Sequence, residues 1–119
     1  MSNSQLSISV ESMKRVELIT IAGRIDSSNA SELDDALKQA MNDGKYNLVL
    51  NFKGVNYMSS AGLRALVAAL RECKKHRGDV VISEPSQRVA EVLDLAGLTG
   101  AEDPLFKVYD DDVSAVGNF

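Results

Sequence analysis

The chain has 119 residues, of which 45% are hydrophobic and 25% are charged, which is typical of one soluble globular domain. We therefore expect a single domain over residues 1–119. The net charge of -4 and the isoelectric point near 4.9 argue against binding to nucleic acid, which requires clustered Lys and Arg. The single cysteine, Cys73, cannot form an internal disulfide and gives no sign of an oxidising compartment.

Nothing in the sequence predicts export or a membrane partner. The first residues, Met-Ser-Asn-Ser-Gln, have neither the basic nor the apolar region of a secretory signal. The longest apolar stretches, such as Leu66–Leu70, are far shorter than the roughly 20 residues of a transmembrane helix. The expected location is the cytoplasm.

The first part of the chain predicts a hairpin followed by a helix. Alternating apolar residues in Leu6–Val10 and a second apolar run in Val16–Ile21 predict two paired strands, with the first at the sheet edge. The next segment has an apolar residue at every third or fourth position, which predicts an amphipathic helix that ends at Gly44. Asn29 and Glu32 have the spacing of a capping pair at its start.

The middle of the chain predicts a buried strand and a second helix. Tyr46–Phe52 is apolar on both faces, as expected of a central strand. Lys53 and Gly54 predict a turn. The helix that follows carries a run of core-facing leucines and is expected to end at Gly78.

The last part of the chain predicts a strand over Val80–Ile82, then a helix that Ser86 caps. A final strand over Leu105–Val108 and a short helix over Asp111–Val116 follow. The polar ends, residues 1–4 and 117–119, are expected to be frayed.

Strands that alternate with helices require crossover connections, which give a parallel arrangement. The predicted fold class is α/β, with a mostly parallel central sheet of about five strands and helices packed on it.

Two adjacent serines join a strand end to a helix start in Tyr57-Met58-Ser59-Ser60-Ala61-Gly62-Leu63-Arg64. Ser59 suits the N-cap position, because its hydroxyl can accept a backbone N–H from Ala61 or Gly62. Ser60 would then begin the helix with a free hydroxyl near the positive end of the helix dipole, where a phosphate is stabilised. On spacing alone, however, serines at helix starts are mostly structural caps.

The same segment, preceded by Leu-Val-Leu-Asn-Phe-Lys-Gly-Val, resembles the signature of the STAS-domain anti-anti-sigma factors, also called anti-sigma-factor antagonists. A second segment, Ile21-Ala22-Gly23-Arg24-Ile25-Asp26, resembles the strand of that family that ends in Gly-x-Leu/Ile-Asp. The order of elements agrees from about Leu6 to Val108. Two motifs at the expected separation make the resemblance specific.

The resemblance implies a single STAS-like domain that is not an enzyme and acts by partner switching. Members of the family bind a GHKL-type kinase that is itself an anti-sigma factor, and so release the sigma factor. They are inactivated when the kinase phosphorylates one serine, which by motif position is Ser60 here. A PP2C-type phosphatase is the expected counterpart, and neither a cofactor nor a metal is expected.

The resemblance also implies a partner-binding surface. Its expected residues are Asp26, Ser59, Ser60, Ala61, Gly62 and Arg64. From the sequence alone, Asp26 is equally well explained as a turn or capping residue. The best-known members have Asp in place of Ser59, so the negative charge beside the acceptor is missing here, and Ser59 stays the alternative acceptor.

An esterase-like enzyme is the first rival function. The single histidine, His76, follows Ser60 by 16 residues on the same predicted helix, about 24 Å away, whereas a general base must lie near 3 Å. A Gly-x-Ser-x-Gly elbow is also absent. The acidic runs Asp34–Asp35 and Asp110–Asp112 lack the spacing of a calcium loop and predict solvated surface.

A second rival is a STAS-like scaffold that binds a nucleotide or another small ligand, or joins a stress-signalling complex, without being phosphorylated. Its fold would be the same. A phosphate-binding loop of the Gly-x-x-x-x-Gly-Lys type is absent from the sequence, so we rank this alternative below partner switching.

Overall fold

The computed structural model describes residues 6–119, so the predicted fraying of residues 1–4 lies outside the described residues. Within this range the chain forms five strands and four helices. The strands are β1 (Leu6–Met13), β2 (Val16–Ile25), β3 (Asn47–Met58), β4 (Asp79–Ser83) and β5 (Val108–Tyr109). The helices are α1 (Ala30–Asn42), α2 (Ser60–Lys75), α3 (Gln87–Leu95) and α4 (Asp112–Val116).

The strands of the described chain form one sheet in the order β1-β2-β3-β4-β5. β1 and β2 are antiparallel, with Met13 opposite Val16 at the hairpin, and the remaining pairs are parallel. Each parallel step is made through a crossover helix, as parallel neighbours require. The predicted α/β fold is confirmed, with β1 at the edge and β3 in the centre.

The main core lies between one face of the sheet and helices α1, α2 and α3. Its fully buried members from the strands and from each of these helices include Ile19, Leu50, Leu37, Leu66 and Leu93. Cys73 of α2 is a free, buried thiol whose pKa is raised to about 12, mainly by burial and further by the charges of Asp79 and Glu72. None of the described helices is both long and apolar enough to cross a membrane.

The opposite face of the sheet is covered by α4 and the C-terminal residues. The small core on this side consists of Val16, Leu18, Val49, Val81 and Ala115, with Val116 and Phe119 packed against it. The Tyr109 hydroxyl also donates a hydrogen bond of 2.7 Å to Asn118 Oδ1. The prediction that residues 117–119 are frayed is therefore wrong, because this segment packs on the sheet.

β3 runs without interruption through Lys53 and Gly54, where a turn was predicted. Its pairing with β2 shifts between Thr20 opposite Asn51 and Ala22 opposite Gly54, which places one extra residue on β3 as a bulge. A Cβ atom on Gly54 would lie 2.8 Å from Cβ of Ala22, so only glycine allows this close approach. The prediction of a turn is therefore wrong. Glycine occurs in both bulges and turns, and the local sequence does not distinguish the two.

The last strand is shorter than predicted and begins later. β5 pairs with β4 only through Val108 and Tyr109. Phe106, inside the predicted strand, is instead a core residue that is 1% exposed, and its N–H donates to the carbonyl of Leu98 at 3.0 Å. Phe106 thus fills the core from an irregular segment that precedes the strand.

Buried polar contacts attach α4 to the sheet. Asp112 Oδ1 accepts hydrogen bonds from Asn51 Nδ2 at 2.8 Å and from Ser83 Oγ at 2.6 Å. Asn51 is 5% exposed and Ser83 is fully buried. The prediction that Asp110–Asp112 is solvated surface is therefore wrong for Asp112, which satisfies two buried polar groups.

We expect Asp112→Ala to lower the free energy of unfolding by about 1–3 kcal/mol, because the buried Ser83 hydroxyl loses its acceptor and Asn51 Nδ2 keeps only its longer bond, of 3.3 Å, to Glu84 Oε2. The matched control is Asp110→Ala, an exposed carboxylate of the same acidic run, for which we expect a change within about 0.5 kcal/mol. Urea unfolding measures both. Equal losses for the two variants would contradict the role of Asp112.

Candidate functional site

The ends of β2 and β3 bring the two sequence motifs together. Ile25 pairs with Met58 at the last position of the parallel ladder. Beyond that pair, the N–H of Ser59 donates to the carbonyl of Ile25 at 2.9 Å. Asp26 and Ser59, each the first residue after its strand, therefore lie at the same edge of the sheet.

Ser59 caps the N-terminus of α2, as predicted. Its Oγ accepts the backbone N–H of Gly62 at 3.2 Å, and its backbone is extended, with φ -85° and ψ 167°. Ser60 is the first residue of α2 and is exposed. No hydrogen bond of the Ser60 hydroxyl to any residue in the range 6–119 is found, so one serine is engaged by the backbone while the other presents its oxygen to solvent.

Gly62 fixes the first turn of α2 against the sheet. A Cβ atom at this position would lie 2.6 Å from Sδ of Met58 and 2.8 Å from Cγ2 of Ile25. Any larger residue would require the Met58 or Ile25 side chain, or the helix start itself, to shift. The Ser60 hydroxyl is thus carried by a turn that is packed directly on β2 and β3.

Asp26 forms the turn between β2 and α1. Its Oδ1 accepts the hydroxyl and the N–H of Ser28, at 2.6 and 2.9 Å, and the N–H of Asn29 at 3.2 Å. These bonds, the Ser28 hydroxyl first, hold the pKa of Asp26 below its ordinary value. Asp26 is therefore an anion with a turn role, while its role toward a partner stays a prediction.

Asn29 occupies the N-cap position of α1 but does not cap the helix with its side chain. Its Oδ1 accepts the N–H of Asp26 at 2.9 Å, and its Nδ2 donates to the carbonyl of Arg24 at 2.8 Å. The predicted capping by Asn29 is wrong, because a buried amide must satisfy both its donor and its acceptor. Here the strand end supplies both partners.

Arg24 and Tyr57 belong to the site although sequence reasoning did not select them. They are cross-strand partners at the ends of β2 and β3. The Arg24 guanidinium lies 4.2 Å from the centroid of the Tyr57 ring, and its Nε is 3.5 Å from Oδ2 of Asp26. Arg24 lies in the upstream motif and Tyr57 in the downstream one. Their positions at the strand ends were the sequence signal that could have identified them.

The remaining predicted residues lie on the first turns of α2. Ala61 is half-buried against the main core, whereas Arg64 is exposed one turn beyond Ser60. The structure thus joins the whole predicted set at one edge of the sheet. It brings together Asp26, Ser59, Ser60, Ala61, Gly62 and Arg64.

His76 lies at the opposite end of α2, where it is the C-cap residue. Its ring stacks on Tyr46 with centroids 3.9 Å apart, and its Nε2 is 3.2 Å from Oε2 of Glu72. A base for Ser60 is therefore not available from this histidine. Among residues 6–119, no group of three side chains that could hold a metal ion is found.

The sequence matches the STAS domain over residues 7–112. The chain belongs to the STAS-domain family. This confirms the resemblance that the two motifs indicated. The matched range includes all the residues of the predicted set, from Asp26 to Arg64.

Known STAS proteins are similar to this one in sequence and in fold. BtrV of Bordetella bronchiseptica, assigned as an anti-sigma factor antagonist, is 25% identical to this chain over 92 residues. These residues cover 77% of this chain and 79% of BtrV. An anti-sigma factor antagonist from Mycobacterium paratuberculosis superposes with a TM-score of 0.84 at 23% identity, over 98% of this chain and 96% of the other.

The Bacillus protein SpoIIAA, an anti-sigma factor antagonist, shares the fold in two solved forms. Its unphosphorylated form has a TM-score of 0.79 at 19% identity, over 94% of this STAS chain and 95% of its own. Its phosphorylated form has a TM-score of 0.73 at 18% identity, over 94% and 98% of the two chains. At these identities the solved structures establish the fold of the STAS domain.

The cap geometry predicts different stabilities for the two serine variants. We expect Ser59→Ala to lower the free energy of unfolding by about 0.5–2 kcal/mol, because the N–H of Gly62 loses its acceptor. Ser60→Ala is the matched control, and its exposed hydroxyl should contribute less than about 0.5 kcal/mol. Denaturant unfolding compares the two, and a larger loss for Ser60→Ala would contradict the cap assignment.

Proposed function

We propose that the protein is an anti-sigma-factor antagonist that acts by partner switching. The unmodified form binds a GHKL-type kinase that is also an anti-sigma factor, and phosphorylation of Ser60 ends the binding. The single observation that carries this proposal is the exposed, unbonded hydroxyl of Ser60 beside the capping Ser59 at the start of α2. The relatives named as anti-sigma factor antagonists support it. Such partners act in the cytoplasm.

The proposed chemistry is a phosphoryl transfer that the kinase catalyses. The Ser60 Oγ forms a bond to the γ-phosphorus of ATP, the bond from that phosphorus to the bridging oxygen breaks, and ADP leaves. The hydroxyl proton passes to a base of the kinase. Free N–H groups and the dipole at the start of α2 favour the resulting anion. A PP2C-type phosphatase would restore the hydroxyl by hydrolysis.

The charge of the phosphate explains why phosphorylation should end the binding of the kinase and not strengthen it. The proposed partner surface consists of Asp26, Ser59, Ser60, Ala61, Gly62 and Arg64. A phosphate on Ser60 adds about -1.5 to -2 charges to a face that the kinase covers. Removing this charge from water in such an interface costs several kcal/mol, so the modified form should dissociate. SpoIIAA, which has the same fold, has been solved with and without its phosphate.

We expect mass spectrometry to find one phosphoryl group on the wild-type chain after incubation with ATP and each purified GHKL-type kinase of the source organism. Ser59→Ala should keep the modification, and Ser60→Ala should lose it, because the Ser59 oxygen caps α2 whereas the Ser60 hydroxyl is exposed and makes no hydrogen bond within residues 6–119. Phosphate retained on Ser60→Ala and lost on Ser59→Ala would move the acceptor to Ser59. If no such kinase binds or modifies the wild type, while nucleotide titration gives saturable binding, the scaffold function is supported instead.

We expect the phosphorylated chain to bind the kinase at least about 100-fold more weakly than the unmodified chain, which corresponds to roughly 2.7 kcal/mol. Its melting temperature should change little, because the helix start favours an anion. Ser60→Asp and its neutral isostere Ser60→Asn separate charge from size. Equal affinity of the phosphorylated and unmodified chains would contradict the direction of the switch.

A further inference from the structure

Ser60 stands at one end of a groove between α2 and the segment after α3. The groove has a volume of about 540 Å³ and is bordered by Arg64 and Arg71. Its floor includes Leu63, Val67 and Leu98, which are half-buried and pack with their inner sides on the main core. A strip of apolar surface therefore leads away from the proposed acceptor along α2.

The groove continues past Arg71 toward the other end of the helix. The adjoining depression shares Arg71 and is lined by Lys74, Lys75, Pro104 and Leu105. Leu105 is 46% exposed, so the apolar floor extends as well. One acidic residue, Asp103, also lies along this second part. In the part near Ser60, both charged residues that line the groove, Arg64 and Arg71, are cations.

Arg64 and Arg71 are the uncompensated charges of this surface. Lys74 pairs with Asp79 at 3.4 Å, and Lys75 pairs with Glu72 at 3.7 Å. Within the described part of the chain, neither Arg64 nor Arg71 makes an ion pair or a hydrogen bond. Both guanidiniums are therefore open to a ligand beside an apolar strip. Guanidinium groups bind carboxylates in a bidentate manner.

The spacing of the two arginines suits an elongated ligand. They are seven positions apart, which is about 10.5 Å along α2 and nearly the same direction around it. An amphipathic helix that lies in the groove presents its own carboxylates at this spacing when they are also seven positions apart. The apolar face of such a helix would cover Leu63, Val67 and Leu98.

We propose that this groove binds an acidic amphipathic segment of the kinase-type partner, whose apolar side chains contact Leu63, Val67 and Leu98 and whose carboxylates pair with Arg64 and Arg71. The inference rests on the proposed function and adds the chemistry of the partner segment. Charge complementarity selects this occupant, because a basic border on an acidic protein favours an anionic ligand.

The position of the groove also explains how one phosphate could act beyond its own contact area. Arg64 lies four residues after Ser60 on α2, the separation at which side chains on a helix meet. A phosphate on Ser60 would pair with Arg64 and would repel the carboxylates of the docked segment. Phosphorylation would thus remove one of two arginine contacts.

Arg71 provides the decisive test, because it lies about 16 Å along α2 from Ser60 and therefore stands apart from the acceptor. The probe is the purified GHKL-type kinase that phosphorylates Ser60, and its Kd is measured for each variant. We expect Arg71→Gln to weaken binding about 10-fold and Arg71→Glu about 100-fold, with the effect reduced at high salt. Melting temperatures check that each variant is folded.

Arg15 supplies the matched control, since it is exposed in the turn before β2, at the opposite end of that strand from the site. Arg15→Gln and Arg15→Glu make the same charge changes and should stay within about twofold of the wild type. A crosslinker placed at Ala68, which lines the groove, should attach to an acidic segment of the kinase. Reversing the charge of that segment should restore binding to Arg71→Glu.

The outcomes separate this inference from the proposed function. If Arg71→Glu binds the kinase as tightly as Arg15→Glu, the groove is not the docking site, although the switch at Ser60 stands. If the wild-type chain binds no kinase, the proposed function fails and the docking inference fails with it. If the wild type forms dimers that Arg71→Glu dissociates while kinase affinity is unchanged, a second copy is the occupant and the inference is overturned.

Discussion

The parallel pairing of β2 with β3 is the constraint on which the candidate site depends. It sets Ile25 opposite Met58, and the hydrogen bond from Ser59 N–H to the Ile25 carbonyl extends the pairing by one more step. Two segments that are distant in sequence therefore finish side by side. A shift of this register would separate Asp26 from Ser60 even if every side chain of the site were kept.

The sequence predicted the side-chain caps of α2 and α3 correctly, but for α1 it predicted only the N-cap position and not the bonds of the Asn29 side chain. The reason lies in the chemistry of the cap residues. Ser59 and Ser86 each accept an N–H from their own helix, at 3.2 Å in both cases. Asn29 carries an amide that is 6% exposed, so its donor and its acceptor must both find partners. Those partners come from the end of β2, which a local pattern does not reveal.

Other differences from prediction arise in contacts between distant parts of the chain. Asp112 was indistinguishable from its acidic neighbours in sequence, yet it accepts a hydrogen bond from Asn51, which lies 61 positions away. Gly54 was interpreted as part of a turn. Its missing side chain instead leaves room for Cβ of Ala22 on the neighbouring strand, a contact that the local sequence does not reveal. The order of elements and the central strand followed from hydrophobic periodicity, which is a local property. The candidate site residues came from the family resemblance of two short motifs, and their roles stay predictions.

The close packing at Gly62 has a consequence for what phosphorylation could change in the structure. The first turn of α2 has no room to move toward the strand ends, since Met58 and Ile25 already occupy that space. We therefore expect a phosphate on Ser60 to change the charge of this surface and to add its own volume there, without moving the start of α2 toward the strands. Such a modification lasts as long as the phosphoester bond on Ser60, and its addition or removal would require no rearrangement of the packed helix start.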